Sequence, residues 1–220
     1  MNPPSVLSPL HQSFLRAFFS QHFGQKFFLT GGTALAEFYL HHRYSEDIGL
    51  FTLDDEAFQE VGMGLGRVAA ESGGTLETRI ATATFRQVFI RVSNEPALKI
   101  DLARDVGPQF GEHQRFGEIV VDSLLNVAVN KVTALFGRAV AKDFVDLYFL
   151  LKQGYRLEEL LELAKEKDLG FSDFYFALML RRVVDLKQLP RMILPVTLEE
   201  LCAFFLPLAE QVMLKTKPPE

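Results

Sequence analysis

The stretch LTGGTALAEFYLHHRYSEDIGLF, residues 29–51, contains the pattern that decides the fold. It continues a compact apolar run, Lys26–Thr30, which is typical of a buried strand and stops at Gly31 and Gly32. The apolar spacing of Thr33–His41 predicts a helix, and the period-two alternation of Asp47–Thr52 predicts a second strand. Two glycines between a strand and a helix allow the backbone to approach a bulky anion, although most such turns only connect two elements.

The first 121 of the 220 residues contain all the predicted strands, and residues 122–220 contain predicted helices alone. This division predicts an α+β fold, with an α/β core domain over residues 1–121 and a helical domain over residues 122–220. The further predicted strands are Thr75–Ile80, Thr84–Val92, Ala97–Ala103 and Glu118–Val121. The further predicted helices are Leu10–Phe19, Asp54–Ala70, Ser123–Phe136, Ala141–Leu151, Leu157–Lys167, Ser172–Val183 and Leu198–Leu214.

The composition narrows the class of protein. A composition of 48% hydrophobic and 23% charged residues is typical of globular proteins and argues against general disorder of the chain. A net charge of −5 argues against a broadly basic nucleic-acid surface but allows a local basic cleft. The single cysteine, Cys202, excludes an internal disulfide and favours a reducing compartment. We find no secretory signal pattern and no apolar run near the roughly 18 residues of a membrane helix, so we expect a cytoplasmic protein without a membrane partner.

Two carboxylates stand on predicted strands. Asp47 begins one strand beside the glycine turn, and Asp101 lies in the sequence Lys99-Ile100-Asp101-Leu102, where residues 99 and 101 project from the same face. Two acids on neighbouring strands form the hard-oxygen site that Mg²⁺ accepts, with phosphate oxygens and water as further ligands. The alternative for each acid is a solvated strand end or a cap.

A third group of polar residues lies on predicted helices. Lys131 and Arg138 are seven residues apart, so they can point in the same direction on a continuous helix. Asp143 and Asp146 are helical neighbours, and Lys142 with Asp146 can form a surface ion pair. Taken alone, this segment predicts only a charged helix face.

The ordered combination of these motifs resembles a known family. Residues 29–51 are similar to the opening signature of the AbiEii/AbiGii-type toxin nucleotidyltransferases, in the DNA polymerase β-like superfamily. That signature is a Gly-Gly-Thr or Gly-Gly-Ser turn, a helix, an Arg-x-Ser connector and Asp-x-Asp on a strand. KIDLA, residues 99–103, resembles the strand with the family's third acid, and NKVTALFGRAVAKDFVDLYFLL, residues 130–151, resembles its helical Lys…Arg…Asp-x-x-Asp-Leu segment.

The resemblance implies a mixed sheet flanked by helices and transfer of a nucleotidyl group from a nucleoside triphosphate to an acceptor, which is tRNA or protein in some relatives. It also implies a cognate antitoxin protein as partner. Asp47 and Asp101 would bind Mg²⁺ or Mn²⁺, Asp101 would also accept the proton of the acceptor hydroxyl, and Lys131 would neutralise phosphate charge during catalysis. The nucleotide-binding residues that it implies are Gly31, Gly32, Thr33, Arg43, Ser45, Lys131 and Arg138.

One residue departs from the family pattern. The second acid of Asp-x-Asp falls at position 49, where this chain has Gly49. Glu46 cannot replace it, because odd and even strand positions face opposite ways. The loss of one of three anionic ligands weakens a two-metal site severely. A single-metal enzyme, a binding-only relative that docks a nucleotide or a partner, and a chain with a natural or engineered change all fit this departure.

Overall fold

A computed structural model describes residues 5–216 of the chain; residues 1–4 and 217–220, the outer ends of the two predicted domains, lie outside the described residues. Between residues 5 and 216, seven strands form one sheet: β1 (Phe27–Thr30), β2 (Asp47–Thr52), β3 (Thr75–Ala81), β4 (Phe85–Arg91), β5 (Leu98–Arg104), β6 (Gln114–Phe116) and β7 (Ile119–Val121). The strand order is β3-β4-β5-β2-β1-β7-β6. The β2–β5 and β1–β7 pairs are parallel and the other pairs are antiparallel, so the sheet is mixed, as the resemblance implied.

The described helices precede, interrupt and follow the strands. They are α1 (Pro9–Phe19), α2 (Gly31–Ala34), α3 (Asp55–Glu71), α4 (Leu124–Arg138), α5 (Ala141–Lys152), α6 (Leu157–Lys167), α7 (Asp173–Arg181) and α8 (Leu198–Lys215). Strands in the first part of the chain and helices in the second confirm the predicted α+β class. Of the helices that the structure describes, none is both long and apolar enough to cross a membrane.

The structure differs from the predicted elements in several places, and two of them lie in or beside the sheet. The helix expected from Thr33 starts at Gly31 and continues beyond Ala34 as a π-helix over Leu35–Leu40. The short strand β6 was not predicted, because its three residues are exposed and polar or aromatic, which gives no apolar alternation.

Two compact units divide the chain. The first contains the residues up to Tyr39 together with Ser45–Leu124, and the second contains Leu40–Tyr44 together with the residues from Leu125 onward. Within the second unit, residues 42–44 pair with the segment near Met192: Tyr44 N–H donates to the Arg191 carbonyl, and Ile193 N–H donates to the His42 carbonyl. The chain therefore contributes a five-residue segment to the second unit long before the helices of that unit begin.

Each unit has its own apolar core. In the first, Ile48 and Ile100 of the two central parallel strands are completely buried, and α3 contacts β2, β3 and β5. Phe18 packs within 5.8 Å (ring centroids) of four other phenylalanines: Phe14, Phe19, Phe23 and Phe27. In the second, the rings of Phe144 on α5 and Phe205 on α8 meet edge to face at 5.3 Å. Many of the 21 phenylalanines thus fill the two cores.

Candidate active site

The two strand carboxylates lie on one face of the first unit's sheet. Strands β2 and β5 are parallel neighbours, with Asp47 opposite Lys99 and Gly49 opposite Asp101. Directly paired residues point to the same side of a sheet, so Asp47, Lys99 and Asp101 share a face that the buried Ile48 does not. The structure therefore brings together the two acids that the sequence predicts as metal ligands.

The ammonium group of Lys99 lies between these carboxylates. Its Nζ is 3.3 Å from Oδ2 of Asp47 and 3.0 Å from Oδ2 of Asp101. Gln87, on the neighbouring strand β4, donates from Nε2 to Oδ1 of Asp101 at 2.9 Å. Partial burial lowers the pKa of Lys99, but the hydrogen bond with Asp101 and the charges of both acids outweigh it, so the pKa is raised and the lysine stays charged. The three charged side chains are 28–38% exposed, so a ligand can reach them.

The glycine turn is tied to the same strand. Gly31 has φ +72°, a left-handed backbone conformation that residues other than glycine rarely adopt. The buried Thr33 hydroxyl donates to the Asp47 carbonyl and lies 2.8 Å from the Ser45 hydroxyl, which is also buried. Thr33 and Ser45 thus connect the start of α2 to the start of β2, and they hold the turn beside the backbone of Asp47.

A second polar cluster lies inside the second unit, around Asp146. Its carboxylate, which is not exposed at all, accepts from Arg43 through Nε at 2.6 Å and Nη2 at 2.8 Å. The same carboxylate is contacted by His42 Nε2 at 2.7 Å and by Lys131 Nζ at 2.7 Å. Burial raises the pKa of Asp146, but the charges of Lys131 and Arg43 and the hydrogen bonds from Arg43 and His42 outweigh it and hold the pKa well below its usual range.

Asp143 extends this cluster towards the surface. Lys131 Nζ lies 3.4 Å from Oδ1 of Asp143, and the Arg138 guanidinium donates to both oxygens of the same carboxylate at 2.7 and 2.9 Å. Lys131 is 6% exposed and Arg138 is 51% exposed. The predicted charged helix face is therefore largely a buried ion-pair network, and Arg138 is its accessible end.

Three participants were missed as site residues from the sequence: Gln87, Lys99 and His42. Lys99 was placed on the face of Asp101 but given no role; its signal is the period-two spacing that aligns positions 99 and 101. His42 follows the predicted helix Thr33–His41 without any motif of its own, and the structure places it against Asp146. Burial lowers the pKa of His42 more than the contact with Asp146 raises it, and among the described residues Nδ1 of His42 has no hydrogen-bond partner.

The chemistry of the donor set can be compared with what a divalent cation requires. Mg²⁺ is typically bound by one or two carboxylates together with substrate phosphates and water, which is what Asp47 and Asp101 offer. A pair of ions needs a bridging carboxylate at position 49, and Gly49 supplies none. Within the described range 5–216, no group of three or more His, Cys, Asp or Glu side chains is arranged to hold a metal ion. The residues thus fit a cation that arrives with phosphate oxygens, and they do not fit a metal pair.

Comparisons with known proteins extend over most of the chain. A family model described as nucleotidyl transferase AbiEii toxin, Type IV TA system, matches residues 13–210. The uncharacterised protein aq_aa25 of Aquifex aeolicus (strain VF5) is 29% identical over 168 residues, with 72% of each chain covered. The crystal structure of JHP933 from Helicobacter pylori has a TM-score of 0.63 at 22% identity, covering 93% of this chain and 91% of that chain.

A third solved structure is similar as well. MenT4, a nucleotidyltransferase toxin (Rv2826c) from Mycobacterium tuberculosis H37Rv, has a TM-score of 0.66 at 18% identity and covers 95% of this chain and 83% of that chain. At such identities the likeness shows a shared fold. It confirms the nucleotidyltransferase-like α+β architecture expected from residues 29–51, 99–103 and 130–151.

Proposed function

The chain belongs to the AbiEii family of nucleotidyl transferase toxins, and from that membership we propose that it binds a nucleoside triphosphate with Mg²⁺ or Mn²⁺ and transfers a nucleotidyl group to an RNA or protein acceptor. One observation carries the proposal: Asp47 and Asp101 share a sheet face, with an oxygen of each within 3.3 Å of the same cationic nitrogen. Two accessible carboxylates on one sheet face, both near the same cation, supply the type and number of protein ligands that a phosphate-bound Mg²⁺ uses.

In the proposed reaction, an acceptor hydroxyl oxygen forms a bond to the α-phosphorus of the triphosphate while the bond from that phosphorus to the bridging oxygen breaks and pyrophosphate leaves. The cation would neutralise phosphate charge during this exchange. Asp101 is the residue proposed to accept the proton of the acceptor hydroxyl. Gln87 holds one oxygen of Asp101, which fixes the orientation of the carboxylate relative to the face where the nucleotide would lie.

The proposed phosphate contacts come from the family resemblance, and two observations support them. Gly31 and Gly32 offer a backbone without β-carbons, which a triphosphate can approach, while Thr33 and Ser45 support the turn through their buried hydroxyls. In the second unit, Arg138 is exposed over half of its side chain and is the phosphate-binding cation that we favour. Lys131 is buried beside Asp143 and is proposed to act through that carboxylate, which Arg138 also contacts. Arg43 is proposed to act through Asp146, the buried carboxylate that it shares with Lys131.

The direct test is binding and transfer by the purified full chain. We expect calorimetry to detect at least one of Mg-ATP, Mg-GTP, Mg-CTP and Mg-UTP, and we expect transfer of an α-labelled nucleotide to an RNA or protein fraction. Asp47→Asn should remove both, whereas Asp185→Asn, a matched change in an exposed ion pair with Arg182, should leave both intact. The proposal fails if the natural chain binds none of the four nucleotides.

Gly49 favours a second candidate function, in which the chain binds a nucleotide or its antitoxin partner without transferring anything. A β-carbon at position 49 would lie 3.4 Å from the Thr30 carbonyl oxygen and 3.8 Å from Thr30 Cγ2, which are ordinary van der Waals contacts. Gly49→Asp therefore restores the family's acid without a large clash. Transfer that occurs only in Gly49→Asp supports the binding-only alternative, and transfer by the natural chain excludes it.

The partners and location follow from the same reaction. Nucleoside triphosphates and RNA or protein acceptors meet in the cytoplasm, so we propose that the chain acts there. Membership of a type IV toxin–antitoxin family also supports a cognate antitoxin protein as partner. Co-expression with the product of a neighbouring gene, followed by comparison of growth with and without that product, tests this partnership.

A further inference from the structure

The position of Lys99 carries an inference beyond nucleotide binding. Its ammonium nitrogen is 3.3 Å and 3.0 Å from the facing Oδ2 atoms of Asp47 and Asp101, which are the same atoms that would bind a shared cation. Mg²⁺ binds oxygen at about 2.0–2.1 Å. A divalent ion in contact with both oxygens would bind the same charges that the ammonium group now neutralises, so Lys99 and the ion compete for these two atoms.

The charge balance of the site points the same way. Asp47 and Asp101 contribute two negative charges, and Lys99 neutralises one of them. An aspartate at position 49 would have added a third negative charge on the same face, but Gly49 adds none. The nucleotide-free face thus has only a weak net negative charge to attract a divalent ion, and it already holds a cation that belongs to the chain.

We propose that Lys99 is the resident cation of this carboxylate pair, which keeps divalent ions out of the nucleotide-free protein and makes metal binding depend on the triphosphate. The inference rests on the proposed function, because it assumes that Asp47 and Asp101 are the cation ligands. A triphosphate adds negative charge beside the pair and gives the Lys99 ammonium an alternative anionic partner. Lys99 then leaves the carboxylates, and the metal and the nucleotide bind together.

The test measures Mn²⁺ binding to the full chain without nucleotide, from the electron paramagnetic resonance signal of the free ion. We expect Lys99→Met to bind Mn²⁺ about tenfold or more tightly than the natural chain. In the natural chain the ammonium group must first leave both oxygens, and when displaced to roughly 4 Å it still repels the ion. Lys99→Gln, which keeps a hydrogen-bond donor without the charge, should behave like Lys99→Met and serves if the methionine variant does not fold. Lys99→Arg, which keeps the charge, should bind as weakly as the natural chain.

Two control variants test whether the gain in Mn²⁺ affinity arises at the Asp47–Asp101 pair. Lys26→Met removes an exposed lysine that pairs with Asp54 in the same unit, and it should leave Mn²⁺ binding unchanged. Adding Asp47→Asn to Lys99→Met should abolish the gain, because one of the two ligands is lost. The inference is overturned if Lys99→Met and Lys99→Gln bind Mn²⁺ no more tightly than the natural chain.

Adding nucleotide separates this inference from the proposed function. With ATP present, the natural chain should bind Mn²⁺ at least as well as Lys99→Met does without it. If no nucleotide binds but the Lys99 variants still gain Mn²⁺ affinity, the proposed function fails and the resident-cation role stands. If nucleotide binds and the variants gain nothing, the proposed function stands and the role of Lys99 is wrong.

Discussion

Replacing Asp146 with asparagine removes the carboxylate that two buried cations of the second unit share. Arg43 reaches it through two nitrogens and Lys131 through one, at 2.6–2.8 Å, and both side chains are at most 6% exposed. An amide of the same shape can still accept one or two of these hydrogen bonds but supplies no charge. Removal of one partner from a buried ion pair typically costs about 3–5 kcal/mol, because the remaining charge is left uncompensated. We expect a loss in this range, partly reduced for Lys131 by its contact with Asp143.

Urea denaturation measures this cost as a change in the unfolding midpoint at constant m-value. Lys131→Met is a matched comparison: it leaves the Arg43–Asp146 pair intact and should cost less than Asp146→Asn. Asp185→Asn, in an exposed pair with Arg182, should change the free energy of unfolding by about 1 kcal/mol at most. The reasoning is refuted if Asp146→Asn costs less than about 1 kcal/mol with an unchanged m-value, because the network would then contribute no more than a surface pair.

Three further outcomes follow from other parts of the structure. Burial lowers the pKa of His42, so below about pH 6.5 the unfolded chain binds a proton that the folded chain does not, and stability should fall as the pH decreases. Urea unfolding at about pH 7.5 and 5.5 should therefore show a smaller loss of stability for His42→Gln than for the natural chain. Phe18→Ala should cost about 3–5 kcal/mol in the same assay, since its ring is fully buried among four others; a loss below 1 kcal/mol would contradict this packing. In thermal melts, Gly31→Ala should lower stability by about 1–2 kcal/mol because Gly31 has a positive φ. Gly66→Ala lies inside α3 with no atom within 4 Å of the added carbon, so it should be neutral or raise stability by up to about 1 kcal/mol. Equal effects at both sites would refute the assignment of strain to Gly31.

The sequence predicts the sheet well where side chains alternate strictly. Strand β2 occupies Asp47–Thr52 in both the prediction and the structure, because Ile48 and Leu50 are buried on one face while Asp47 and Gly49 lie on the other. The same alternation in β5 places Asp101 beside β2 once the two strands pair. Strand pairing itself is not visible in the sequence, which is why the position of Gln87 against Asp101 appears only in the structure.

The helical charges show the limit of reading a sequence locally. Lys131, Asp143 and Asp146 have the spacing of an exposed charged face, and nothing within their own helices indicates that they are buried. The buried Asp146 is paired with Arg43, which lies 103 residues before it along the chain. A contact over such a separation has no local periodicity, so the roles of these residues in binding phosphate remain predictions that mutation must test.

The early segment Leu40–Tyr44 has a consequence for how the protein forms during synthesis. Translation proceeds at about 5–20 residues per second, so Arg43 is made roughly 5–20 s before its carboxylate partner, Asp146. During that interval a guanidinium group that is buried in the finished protein has only water or temporary acidic neighbours. Nascent chains halted before residue 146 should therefore leave this segment open to proteases, and the ordering of a short N-terminal connector should be one of the last events of biogenesis.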